Sequence, residues 1–405
     1  MKPKQTWLAL VGVFLGVLFA AGLGVYSFLN ATATPLHPNP QDVPSVTHAA
    51  PSQEWSGAVA WARQLARADL VEQNLPGLSV AVGAGGDLVW AEGFGWADLE
   101  NRVPVSPGTR FRIGHASKAL TSAAVGLLLE KGRLHLYDEI QTHVPAFPTK
   151  QWPITLRQLM GHVAGVRHYR NEVDYMPSAH CDRAADGLRS FENDPLLFEP
   201  DTQYKYSTFG WILVSAAIEA AAGEPFFTFM RTQIFEPQGM VDTTSDSATE
   251  PIPDRATFYY PRFSGDPSFG PELATSVDYS CFAGAGGFLS TRSDLVRFGM
   301  AVSSGKLLQP ATVTKLQTPQ LLASGEESGY ALGWMVETVP LAGQPTALAS
   351  HASRTLLGGS TSVLTFPERG LVVAVTSNTS FAGTRSIALK IAEAFAEERT
   401  GPARK

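Results

Sequence analysis

Three side chains of different chemistry fall within four positions of one another: the imidazole of His115, the hydroxyl of Ser117 and the amine of Lys118. The run 115–130 is apolar on nearly every face (Ala119, Leu120, Ala123, Val125, Leu127, Leu128), which predicts a helix buried all round. Residues three apart on a helix share a face, so His115 and Lys118 point into one space. An amine placed there takes up a proton from a group at 115, and the helix amino end favours negative charge developing beside it. A neutral imidazole serves as a general base or a transient nucleophile. The helix dipole and Lys118 both oppose its protonation. An acyl-imidazole, however, passes its acyl group on readily and makes a poor stable intermediate. Ser117 is the other nucleophile at hand. Adjacent helical residues point about 100° apart, so it meets Lys118 only if the helix start is distorted. As a structural residue, Ser117 would serve near the helix start as a cap.

The elements that must hold this helix read as follows. An amphipathic helix is expected over 55–72, and strands over 78–82 and 88–91 flank the hairpin signal Gly85-Gly86-Asp87. The middle third carries short helices, with an apolar one over 211–221 and an amphipathic one over 294–302. Strands 362–366 and 371–377 are joined by a four-residue turn, and 387–398 reads as a closing helix. Strands at both ends and helices between them imply an α+β fold. The expectation is an antiparallel β-sheet flanked by helices, with a mainly helical inserted subdomain.

The segment Phe-Arg-Ile-Gly-His-Ala-Ser-Lys-Ala-Leu-Thr (111–121) resembles the Ser-x-x-Lys signature of serine β-lactamases, penicillin-binding peptidases and related esterases. His115 stands where that superfamily keeps its serine. Tyr206-Ser207-Thr208 resembles the Tyr-x-Asn element, which implies a proton-sharing hydroxyl at Tyr206 and a substrate contact at Thr208, in place of an amide. Ser350-His351-Ala352-Ser353, followed by Gly358-Gly359-Ser360, resembles the His-x-Gly or Lys-Thr-Gly edge strand. That likeness implies that His351 helps to hold a substrate's acyl group, with Gly358 also bordering the substrate. Ser353 replaces a glycine that would let a ligand approach backbone, so it narrows the cleft. The segment 156–162 with Gly165, the glycine-rich turn 283–287 and Gly333-Trp334 extend the resemblance over about residues 70 to 395. It is closest to the mitochondrial serine β-lactamase-like group and its bacterial relatives. Peptidase, amidase or esterase chemistry is implied, with no cofactor. His162, His168, His180 and Cys181 match no recognised zinc spacing, so no metal is expected either.

Three departures, at His115, Thr208 and Ser353, point to a cleft that has lost or altered acyl transfer and still binds a small-molecule or peptide ligand. Retention of Lys118, Tyr206 and His351 supports the alternative, a working hydrolase using Ser117 or a water activated by His115. The net charge of −6 without a long basic run excludes a phosphate-tracking surface, so no nucleic-acid partner is expected. Lys2 and Lys4 precede an apolar run over 7–29, long enough at about 1.5 Å per residue to cross a hydrocarbon layer of about 30 Å. Residues 1–30 therefore read as a signal anchor, one N-terminal transmembrane helix that makes the membrane a partner. Ala31-Thr32-Ala33 is the feature that would instead suit a cleaved signal peptide. Residues 31–53, with five prolines, read as an extended and poorly ordered linker, and 54–400 as the folded domain. The lysines place the domain outside a bacterial inner membrane, facing the periplasm. Cys181 and Cys281 either pair, as an oxidising compartment allows, or remain two buried thiols.

Overall fold

In the computed structural model, which describes residues 3–48, 52–176, 179–249, 251–354 and 358–400, both ends of the domain contribute to one antiparallel sheet. An apolar helix, α1 (Pro3–Thr32), precedes it. From the amino-terminal side come β1 (Ser45–Thr47), helix α2 (Ser56–Glu72), β2 (Gly77–Ala84) and β3 (Asp87–Asp98). Helices α3 (Ser117–Glu130), α4 (Leu156–Met160), α5 (Thr208–Ala222) and α6 (Arg292–Ser303) follow. The chain then returns through β4 (Met335–Leu341), β5 (Gln344–Arg354), β6 (Ser360–Phe366) and β7 (Leu371–Ser377) to helix α7 (Thr384–Thr400).

The strand order is β1-β3-β2-β7-β6-β5-β4, with Val103–Pro104 beside β3. The expected α+β arrangement is thus present. Strand periodicity divides the core. Leu78, Val80, Val82, Val373 and Val375 face α2 and α7, packing with Val59, Leu70, Ile391 and Phe395. Ala81 and Ala374 face the other way, into the cluster that holds α3, α5 and α6. Gly83 lies under α6: a Cβ there would sit 2.6 Å from both Met300 and Val296, so only glycine admits the helix this close.

Two expectations change. The run 31–53 is not a loose spacer where it is described. Ser45 and Thr47 pair with Phe94 and Glu92, Val43 is buried, and the Leu36 N–H donates to Asn74 Oδ1 at 2.8 Å. The physical reason is the edge of β3, whose unpaired backbone groups accept another strand. The strand expected over 88–91 also runs on to Asp98. The open question of the cysteines is resolved: Cys181 and Cys281 form a disulfide, with Cα atoms 4.8 Å apart.

Candidate active site

Helix α3 is buried along most of its length, as its composition requires, and it begins from a 3₁₀ turn at Gly114–Ala116. Three residues per turn bring positions i and i+3 into line, so His115 and Lys118 are stacked on one face. Gly333, at φ +96°, lies against the first turns of α3, and a Cβ there would be 2.7 Å from Trp211 and 3.0 Å from the Lys118 carbonyl. Lys118 is fully buried, and its Nζ donates to the Ala285 carbonyl at 2.9 Å. The amine also lies 4.9 Å from the centre of the Tyr206 ring. Among the described residues it has no carboxylate partner.

His115 is tied at both ends. Its Nε2 shares a hydrogen bond of 3.1 Å with Thr208 Oγ1, and its backbone N–H donates to Ser353 Oγ at 3.1 Å. Thr208 opens α5, where the Ser207 hydroxyl caps the helix by accepting from the Gly210 N–H. Ser353 comes from β5, paired through Thr361 to β6. The head of α3, the head of α5 and the edge of β5 therefore converge on one imidazole.

Three further histidines and two tyrosines complete the cluster. The His162 ring packs at a tilt against Tyr206 at 4.2 Å and Tyr330 at 4.6 Å, centroid to centroid. Its Nδ1 accepts from the Ser207 N–H at 3.1 Å, which puts any ring proton on Nε2, and Nε2 is buried with no hydrogen-bond partner among the described residues. His168 Nδ1 likewise accepts from the Thr208 N–H at 3.2 Å. In His351 the order is reversed. Nδ1 lies 3.2 Å from the Ala352 carbonyl and must donate, so Nε2 accepts from the Tyr330 hydroxyl at 3.0 Å.

Every base in the cluster is pushed toward its neutral form. Burial holds Lys118 well below the usual amine range. His115 and His162 are held well below the usual imidazole range, by burial first and then by Lys118. Burial with Lys118 lowers His168 to about 4 and His351 to about 3. Burial also raises Tyr206 and Tyr330 well above the usual phenol range. The histidines and tyrosines of this cluster are thereby neutral donors and acceptors, partly open to solvent at His115, His168 and Tyr206.

Of the residues singled out from the sequence, His115, Lys118, Tyr206, Thr208 and Ser353 meet here, with His351 reached through Tyr330. Ser117 does not join them: its Oγ is buried and makes no hydrogen bond among the described residues. The start of α3 is distorted, but in the sense that aligns 115 with 118. Gly358 packs against Phe258 at φ +80°, and its N–H donates to Ser380 Oγ, a role in holding the end of the sheet. His180 bonds Asp278 at 2.9 Å, while Cys181 is consumed by the disulfide. Sequence reasoning passed over Tyr330 and gave His162 and His168 no role. The one available signal for Tyr330 was its place three residues before Gly333-Trp334.

A family model described as Beta-lactamase matches residues 62–396. The chain belongs to the beta-lactamase family. It is 29% identical to the human serine beta-lactamase-like protein LACTB, mitochondrial, over 86% of this chain and 82% of that protein. It is 28% identical to penicillin-binding protein 4* of Bacillus subtilis, over 68% of this chain and 62% of that one. The solved D-amino acid amidase from Ochrobactrum anthropi has the same fold, with a TM-score of 0.71 at 23% identity over 84% of this chain and 99% of that one.

Proposed function

We propose that this member of the beta-lactamase family binds an acylated or peptide ligand in its cleft without forming a seryl acyl-enzyme. The observation that carries this reading is the side chain sharing a face with Lys118. It is an imidazole bonded to Thr208, while the Ser117 hydroxyl is buried away from the amine. In a well-studied serine hydrolase, loss of the nucleophile costs about a millionfold in turnover. That is about 8 kcal/mol of barrier, more than a single neighbour restores. Ser353 adds to the case. An N–H at the head of a helix is a natural donor to a developing oxyanion, and at His115 that donor is already held by Ser353 Oγ. What persists is a hydrogen-bonding cluster that meets solvent at His115, His168 and Tyr206, with Thr208, Lys118 and the Tyr330–His351 pair behind it, and it suits a ligand amide or ester.

We further read α1 as a membrane anchor with the domain on the periplasmic side of a bacterial inner membrane. Support comes from the apolar span Leu10–Thr32, the lysines ahead of it and a disulfide that needs an oxidising compartment. The test of the cleft is a fluorescent N-acylated peptide titrated into the full chain and then recovered. Saturable binding with the peptide intact supports the reading, and cleavage overturns it.

One observation favours a second reading. His115 is held neutral and partly open to solvent, as a general base acting on water requires. Turnover that is lost in His115→Gln, retained in Ser117→Ala and accompanied by no covalent adduct would establish it instead.

A further inference from the structure

The hairpin formed by Tyr259–Pro261 and Pro271–Leu273, with its connecting residues 262–270, lies along the last turns of α1. Two contacts fix its level. Arg262 Nη1 donates to the Thr32 carbonyl at 3.2 Å and to Thr32 Oγ1 at 3.0 Å, at the end of the helix. The Phe269 ring meets the Tyr26 ring edge-on at 6.3 Å. Tyr26 is six residues short of Thr32, so Phe269 sits about 9 Å deeper along the helix axis. Asn74 fastens the same region from the domain side, bonding the Thr34 and Ser268 carbonyls and accepting from the Leu36 N–H.

Tyr26 belongs to the apolar run of α1, so any group in ring contact with it lies at the level where that run meets the headgroups. Tyrosine and tryptophan favour this level, with an apolar body and a polar tip. Next to Arg262 in the chain, Phe263 is 69% exposed and held at φ +57°. An open aromatic ring next to the residue that bonds the end of the span is favourable in the headgroup layer. The Arg262 guanidinium lies 5.8 Å from the Phe263 ring while it bonds Thr32, which keeps that ring near the end of α1.

We infer that the 259–273 hairpin is a second membrane contact, dipping Phe263 into the lipid headgroup layer and setting the orientation of the domain above the bilayer. This rests on the reading of α1 as a membrane span. Arg262 is offset by Asp266 and Glu272, so the contact is aromatic rather than electrostatic and forms on zwitterionic lipid.

The two native cysteines are joined, so a single introduced thiol accepts a label uniquely. The full chain carrying Phe263→Cys, labelled with an environment-sensitive fluorophore, is reconstituted into phosphatidylcholine vesicles. The comparison is Tyr137→Cys, an exposed position on the helical half. Both variants are checked for an intact disulfide and an unchanged melting temperature. The expected result at 263 is a blue-shifted emission, protection from aqueous iodide and quenching by headgroup nitroxide lipid, with none of these at 137. Iodide quenching equal at both positions, with the chain resisting carbonate extraction, overturns the hairpin contact and leaves the anchor standing. Release of the chain by carbonate removes the anchor, and the hairpin contact with it.

Discussion

Replacing His115 by serine puts a hydroxyl three residues ahead of an amine that burial holds below its usual range, the direction a proton acceptor needs. If the rest of the site were ready, the gain would approach the full worth of a nucleophile, about a millionfold. The site is not ready, because Ser353 Oγ holds the N–H of residue 115. One missing oxyanion donor costs about a hundred- to a thousandfold. His115→Ser alone is therefore expected to react with a fluorophosphonate about a thousand- to ten-thousandfold faster than the native chain. Adding Ser353→Gly should supply about a hundred- to a thousandfold more, whereas Ser353→Gly with His115 in place should supply nothing. The assay is the rate of covalent labelling followed by intact-protein mass, with melting temperature and disulfide checked for each variant. A folded double variant that labels no faster than the native chain would refute this reasoning. So would a gain from Ser353→Gly alone.

Acid should unfold the domain through its histidines. His168 and His351 titrate near 4 and 3 in the folded chain, against an ordinary 6.5, so the unfolded state takes up protons first as pH falls. Their contribution is complete above pH 6.5 and is lost as pH falls from 6.5 toward 4 and 3, at up to about 1.4 kcal/mol per pH unit for each. Urea unfolding at pH 7.5, 6 and 5 checks this, and a flat profile contradicts it. Reduction of the Cys181–Cys281 bond, which closes a separation of 100 residues, should cost about 4–5 kcal/mol, seen as a lower melting temperature with reductant. Asp246 is buried and bonds both Arg112 and Arg255 at 2.6 Å. Asp246→Ala should therefore cost about 3–5 kcal/mol in chemical unfolding, because two guanidinium groups lose an ion-pair partner.

Much of the scaffold was legible because it follows from periodicity. The apolar run behind Lys118 had to be a buried helix, and the runs ending at Phe366 and Ser377 had to be neighbouring strands. The 115–118 spacing was legible for the same reason, since any helical turn puts those positions on one face. The three-residue strand at Ser45–Thr47 was hidden among prolines, because its order comes from the open edge of β3 rather than from its own residues. The disulfide was undecidable from spacing, as pairing depends on where two distant segments meet. From the sequence, Ser353 only narrows the cleft. Its bond to the His115 N–H depends on the approach of β5 to the head of α3, which a linear pattern does not carry. Tyr330 escaped notice for the same reason, since its partner His351 lies on another element.

The measurement that tests most directly whether any serine acts as a nucleophile is adduct mapping on the native full chain. The chain is incubated with a fluorophosphonate and, separately, with a penicillin, then analysed as intact protein and as peptides by mass spectrometry. The expected result is an unchanged mass with both reagents. An adduct on Ser117, or on any other serine reaching Lys118, would contradict it.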